Sequence, residues 1–146
     1  MKIDTAVTTA IYSGVAATGK MPSVAQVAGS VDATVEEVKA TYSRLSQRRL
    51  LVLEPDGVSI RMAPPFSGVP TQHRVRAGDT EYFANCAWDA LGVIAALNRA
   101  GQVFSRCEQT HEPLLIRVDD RGPEPVPCVI HFAVPAALWW RDIVFT

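Results

Sequence analysis

The chain has 146 residues, of which 48% are hydrophobic and 20% charged, with a net charge of −1. That is one domain's worth of ordinary soluble globular protein, or two small modules fused, and long enough to bury a core without disulfides or metal. So neutral a balance gives no global basic field for nucleic acid or an anionic membrane, and no apolar run approaches the ~20 residues of a membrane span. The three cysteines, Cys86, Cys107 and Cys128, are odd in number and far apart. They make neither a disulfide framework nor a CxxC-type zinc site, and free thiols fit a reducing cytoplasm.

The opening MKIDTAVTTAIYSGVAATGK has the small-residue stretch of a signal peptide, but Asp4 and several threonines break its apolar run. It is expected to be an amphipathic helix, from Thr5 to Thr18, ended by Gly19. Ser23 is placed to cap a short helix over Val24 to Ala28, and Gly29-Ser30 to turn the chain. Thr34 and Glu37 form a capping box for a third helix, Val35 to Arg48, whose buried stripe is Val35, Val38, Tyr42 and Leu45. LLVLEPDGVSIRM then predicts two short strands around Pro55-Asp56-Gly57.

Helices followed by a hairpin give residues 1–62 the order of a winged helix-turn-helix. Such modules often bind DNA through the third helix. Here residues 1–62 hold seven Lys/Arg and six Asp/Glu, and Glu36 and Glu37 stand where base contacts would be made. Phosphate contact favours Lys or Arg there, so a packing or lid module is the better reading.

Residues 63–80, with three prolines and two glycines, have the composition of a linker that could hide one short strand near Gln72 to Arg76. His73 is read as a solvated loop residue. A helix is expected from Glu81 to about Asn98, capped by Asp79 or Thr80. Strands follow in QVFSRCE, PLLIRVDD and CVIHFAV, then a helical turn over Ala136 to Arg141. IVFT at the end looks like the start of a strand that has been cut.

Within YFANCAWDAL, Cys86 and Asp89 stand three apart. On a helix they would project to one side. A thiolate is a strong nucleophile and a ligand for soft metals. A carboxyl in an apolar wall keeps its proton to higher pH and can donate it. The pair therefore suits capture of a soft electrophile and protonation of what leaves. The plainer alternative is a packed, inert cysteine beside a solvated aspartate.

The stretch EYFANCAWDALGVIAALNRAGQVFSRCEQTHEPLLIRVDD resembles the core of the alkylmercury lyase (organomercurial lyase) family. The likeness lies in the aromatic-x-x-Cys-x-x-Asp segment, the small and apolar run after it, and Cys107 before a loop and a Pro-led strand. The N-terminal module and VPAALWWRDIVFT also look like that family. The resemblance implies protonolysis of a carbon–mercury bond to a hydrocarbon and Hg(II), with no cofactor beyond the substrate's own mercury and with cellular thiols removing the product. It implies Cys86 as nucleophile and mercury ligand, Asp89 as general acid, and Cys107 as a structural cysteine.

The family's second catalytic cysteine would follow IVFT, where this sequence ends. Either the chain is truncated or this member lacks that thiol, and Cys128 is the candidate substitute ligand. His111 occupies a loop position where the family often has glycine, and is read as a surface residue. The expected architecture is α+β: the winged-helix-like module (1–62), the linker (63–80), and a core (81–146) of one helix on a small mixed or antiparallel sheet. Rival readings are a non-catalytic relative that holds a soft metal or small molecule through Cys86, and a DNA-binding regulator.

Overall fold

A computed structural model describes residues 3–145. Helix α1 (Ile3–Thr18), α2 (Val24–Val31) and α3 (Val35–Gln47) come first. Strands β1 (Val52–Leu53), β2 (Ile60–Ala63) and β3 (Phe66–Ser67) form an antiparallel sheet in the order β1-β2-β3. Next come β4 (Arg74–Ala77), β5 (Thr80–Phe83), α4 (Ala87–Leu97), β6 (Gly101–Arg106), β7 (Pro113–Asp119) and β8 (Gly122–Pro123). These five strands make a second antiparallel sheet, β5-β4-β6-β7-β8, and a 3-10 helix covers Ala136–Arg141. The protein is α+β.

Local chemistry sets the first three helices. The Ser23 side chain accepts from the Gln26 N–H and the Gln26 side chain returns to the Ser23 N–H; Thr34 and Glu37 do the same for α3. Each box satisfies two donors that a helix start leaves unpaired. Helix α2 runs past the expected turn at Gly29-Ser30, because Asp32 takes the left-handed cap at φ 52. One core gathers Val7, Ile11, Val27, Val38, Tyr42, Leu45, Leu51 and Ile60. A second gathers Phe66, Val75, Tyr82, Ala90, Val93, Ile94 and Val103.

Helix α1 splints the two. Its Val7 and Ile11 lie in the first core, while Val15, one turn on, lies in the second. The Tyr82 hydroxyl donates to the Ala16 carbonyl at 2.7 Å. Gly19, at φ 73, is pressed against the Glu81 carbonyl with no room for a Cβ, so only glycine fits this join.

Four expectations are corrected. The presumed linker over 63–80 is built into both sheets: besides β4, which meets the expectation of a short strand near Gln72 to Arg76, it holds β3, and Phe66, Ser67, Val75 and Ala77 are buried. The helix expected from Glu81 begins only at Ala87. Thr80–Phe83 is instead the second arm of a hairpin, paired Ala77↔Thr80 through Arg74↔Phe83 about the turn Gly78-Asp79. Gly78 sits at φ 61, and a glycine first in a two-residue loop is a hairpin signal. CVIHFAV forms no strand. Pro125 and Pro127, just after β8, lack the N–H that would continue a ladder, and the segment lies irregular and largely exposed. Ile143 to Phe145 form a turn rather than a strand, and Thr146 lies outside the described residues.

The Tyr42 hydroxyl is buried with no hydrogen-bond partner among the described residues, and burial pushes its pKa up to about 12. An unpaired buried hydroxyl opposes folding. Tyr42→Phe should therefore leave the thermal midpoint unchanged or raise it. A loss above about 1 kcal/mol, the scale of one net hydrogen bond, would show that the hydroxyl has a partner.

Candidate active site

Cys86 is not inside a helix; it is the N-cap of α4, in extended conformation at φ −151 and ψ 178. Asp89 is the third residue of the first turn, and its backbone N–H donates to Cys86 Sγ at 3.4 Å. The two are neighbours through cap geometry rather than through a shared helix face. Sulfur is a poor substitute for the Ser, Thr, Asp or Asn that caps prefer, so helix stability alone does not explain the choice.

Both side chains are half-buried. Burial pushes the Cys86 thiol up, and the nearby Asp89 charge adds to this. Hydrogen bonds from the Asp89 and Trp88 backbones pull the other way. A helix N-terminus commonly lowers a thiol, but here desolvation is the larger effect. Burial also raises Asp89, against a lowering hydrogen bond from Asn85. Asp89 thus holds its proton to higher pH than an exposed carboxyl does.

Asn85 is the site residue that motif reading missed. Its Nδ2 donates to Asp89 Oδ2 at 2.9 Å and reaches the carbonyls of Pro65 at 3.3 Å and Phe66 at 3.4 Å. The turn at Pro64–Phe66 is held from the other side by the Tyr12 hydroxyl, which donates to the Pro64 carbonyl at 2.9 Å. Burial raises the Tyr12 pKa and the Asp89 charge raises it further, which puts α1 within electrostatic reach of the site. Asn85 sits directly before Cys86, so the signal was adjacent; its partners come from sequence-distant carbonyls.

The remaining candidates lie elsewhere or play other parts. His73 is half-buried rather than solvated, its Nδ1 2.8 Å from Ser105 Oγ across the β4–β6 pair, and burial lowers its pKa. Cys107 closes the loop after β6: its N–H donates to the Glu112 carbonyl at 2.9 Å, and its carbonyl accepts from the His111 N–H at 2.8 Å. The Thr110 hydroxyl and the backbone of Thr110 and Gln109 hold the Cys107 thiol below its ordinary value. His111 is exposed at φ 60, a left-handed conformation that a glycine would adopt without strain. Cys128 was expected in a core strand but is exposed in the irregular segment.

Among the described residues no group of three or more His, Cys, Asp or Glu is arranged to hold a metal, and no helix is long and apolar enough to cross a membrane. A surface cavity of about 860 Å³ lies between α4 and the β7–β8 hairpin, lined by Trp88, Leu91, Ala95, Val118 and Pro123 among others. Cys86 and Asp89 do not line it. The Cys86–Asp89 pair sits on the flank of α4 that meets the Pro64–Phe66 turn.

No curated protein matches the chain. Among solved structures, the crystal structure of the mercury-bound form of MerB2 superposes with a TM-score of 0.65 at 23% identity. The match covers 83% of this chain and 59% of that one, so this chain spans somewhat over half the length of its structural relative. The model of the family described as alkylmercury lyase matches residues 66–146, from β3 through α4 and the second sheet to the last residue. That is more than half of the chain, and it contains Asn85, Cys86, Asp89 and all three cysteines. The chain belongs to the alkylmercury lyase family.

Proposed function

We propose that the protein cleaves carbon–mercury bonds by protonolysis, with Cys86 as mercury-capturing nucleophile and Asp89 as proton donor. The observation that carries this reading is the first turn of α4, where a thiol and a carboxyl with burial-raised pKa values are held as neighbours by the 3.4 Å hydrogen bond from the Asp89 backbone N–H to Cys86 Sγ. Membership of the family and the structural likeness to a mercury-bound protein support it.

The chemistry follows from the two side chains. The Cys86 thiol gives its proton to solvent, and the thiolate displaces the counter-ligand of an organomercurial, which leaves as its anion, to form a sulfur–mercury bond. A second thiolate then adds to mercury and pushes electron density onto the bound carbon. The O–H bond of Asp89 breaks, its proton joins the carbon, and the carbon–mercury bond releases its electron pair to the new C–H bond. A hydrocarbon leaves, Hg(II) stays between two sulfurs, and Asp89 regains a proton from solvent. No redox change or organic cofactor is involved. Cellular thiols supply the second sulfur and carry Hg(II) away, which suits a cytoplasmic role in mercury detoxification. Cys128 is the candidate within this chain for the same task, since its exposed thiol is open to soft metal.

Phenylmercury with excess thiol should release benzene from the native protein, detected in headspace. Cys86→Ser should abolish release, and Cys128→Ser should lower it only when free thiol is scarce. Tight mercury stoichiometry without benzene would mean a binder rather than a lyase. Benzene release unchanged in Cys86→Ser would remove Cys86 from the mechanism.

The pKa direction at Asp89 makes a separate prediction. A carboxyl raised by folding binds more protons in the native than in the unfolded state, so stability falls as pH rises. Its contribution is full below the unfolded carboxyl range and is lost as pH climbs through the folded value. Asp89→Asn removes this dependence, so the variant should gain stability relative to the native protein between acid and neutral pH. Urea unfolding midpoints across that range test it; a difference independent of pH would contradict the raised value.

A further inference from the structure

We infer that Asn85 is the positioning residue for Asp89, fixing which carboxyl oxygen delivers the proton. The inference rests on the proposed lyase chemistry and adds a residue to it. Three oxygens surround one end of the Asn85 amide: Asp89 Oδ2 at 2.9 Å, the Pro65 carbonyl at 3.3 Å and the Phe66 carbonyl at 3.4 Å. All three can only accept when Asp89 is ionised, so this end must be the nitrogen. Two amide hydrogens serve the three acceptors, and the closest is the carboxylate.

The other end of the amide shows what this orientation costs. Asn85 Oδ1 is buried and has no hydrogen-bond partner among the described residues. A buried acceptor left unpaired opposes folding, and native proteins keep few of them. Local arrangements that cost stability concentrate at functional sites. The turn that supplies the two carbonyls is itself clamped. Tyr12 of α1 binds the Pro64 carbonyl, and Gly92 of α4 lies so close to Pro65 that an added Cβ would stand 3.2 Å from its ring. The amide is thus anchored to a turn held from both sides.

The consequence is chemical. A carboxyl whose Oδ2 accepts from Asn85 carries its proton on Oδ1. As that proton passes to carbon, negative charge grows on a carboxylate whose Oδ2 already faces an N–H. The hydrogen bond therefore strengthens along the reaction, and a donor in place beforehand needs no reorganisation. Asn85 does not touch mercury or carbon in this account. It acts through Asp89.

Two measurements on the full chain separate this proposal from the lyase reading. The first is steady-state benzene release from phenylmercury by Asn85→Leu, which keeps the bulk and removes the donor, and by Asn85→Ser, which keeps a shorter donor. The turnover number should fall roughly 10- to 100-fold in Asn85→Leu, the range for outer-shell partners, while KM and mercury stoichiometry stay at native values. Asn85→Ser should recover part of the loss. An unchanged turnover number, or mercury capture falling in step with turnover, would overturn the proposal.

The second measurement needs neither activity nor a substitution at Asn85. The side-chain amide NMR signals of Asn85, assigned through bonds, should shift in Asp89→Ala relative to the native protein. Unmoved signals would overturn the tether, whatever the kinetics. Shifted signals in a native protein that releases no hydrocarbon would mean that the tether stands and the lyase reading falls.

Discussion

Packing of the first turn of α4 against the Pro64–Phe66 turn is the constraint on which the site depends. It takes Cys86 and Asp89 partly out of water, and it brings the Asn85 amide to two backbone carbonyls that lie about 20 residues earlier in the chain. The packing has its own supports. Phe66 bridges to Ala84 just before the site, and Thr71 binds the Ala84 carbonyl at 2.7 Å. Behind α4, Ala90, Val93 and Ile94 lie on Val75 and Val103 of the sheet. Helix α1 reaches the same core through Val15 and the same turn through Tyr12. Helix α1 is therefore part of the structure that shapes the candidate site, although the family match begins at residue 66.

Desolvation then sets the chemistry. It acts on both groups in the same direction, favouring neutral thiol and neutral carboxyl. In the proposed reaction that would serve Asp89, because a proton donor must be protonated when the carbon is ready. It would be a cost for Cys86, because capture needs the thiolate. Mercury would resolve the conflict, since a soft cation drives deprotonation of the sulfur it binds. The cap hydrogen bond from Asp89 helps the thiolate and binds acid and nucleophile into one turn, so a shift of either residue moves the other.

What the sequence made legible was local. The N-cap at Ser23, the capping box at Thr34, the hairpin at Pro55-Asp56-Gly57, and the strands beginning near Gln102 and Pro113 depend on residues a few positions apart, and they appear where spacing placed them. The errors share a cause. Residues 81–83 have side chains that suit either a helix or a strand, and pairing with β4, not their own propensity, made them a strand. Prolines at 64, 65 and 70 read as a linker, yet at 64 and 65 they shape the turn that holds the site. CVIHFAV has a strand's composition, but Pro125 and Pro127 end the ladder of β8 before it begins. At the candidate site, spacing brought Cys86 and Asp89 together, though as neighbours across a helix cap and not on a shared helix face. The part played by Asn85 was not, because its acceptors are backbone atoms and any residue could have supplied them.

The account rests on Cys86 and Asp89 meeting one mercury-bound carbon at the start of α4. The most direct test is a crystal structure of the Asp89→Asn protein, its proton donor removed, soaked with phenylmercury. The account predicts mercury on Cys86 Sγ with the phenyl carbon directed at the side chain of residue 89. Mercury on Cys107 or Cys128 with Cys86 bare, or a phenyl group turned away from residue 89, would contradict it.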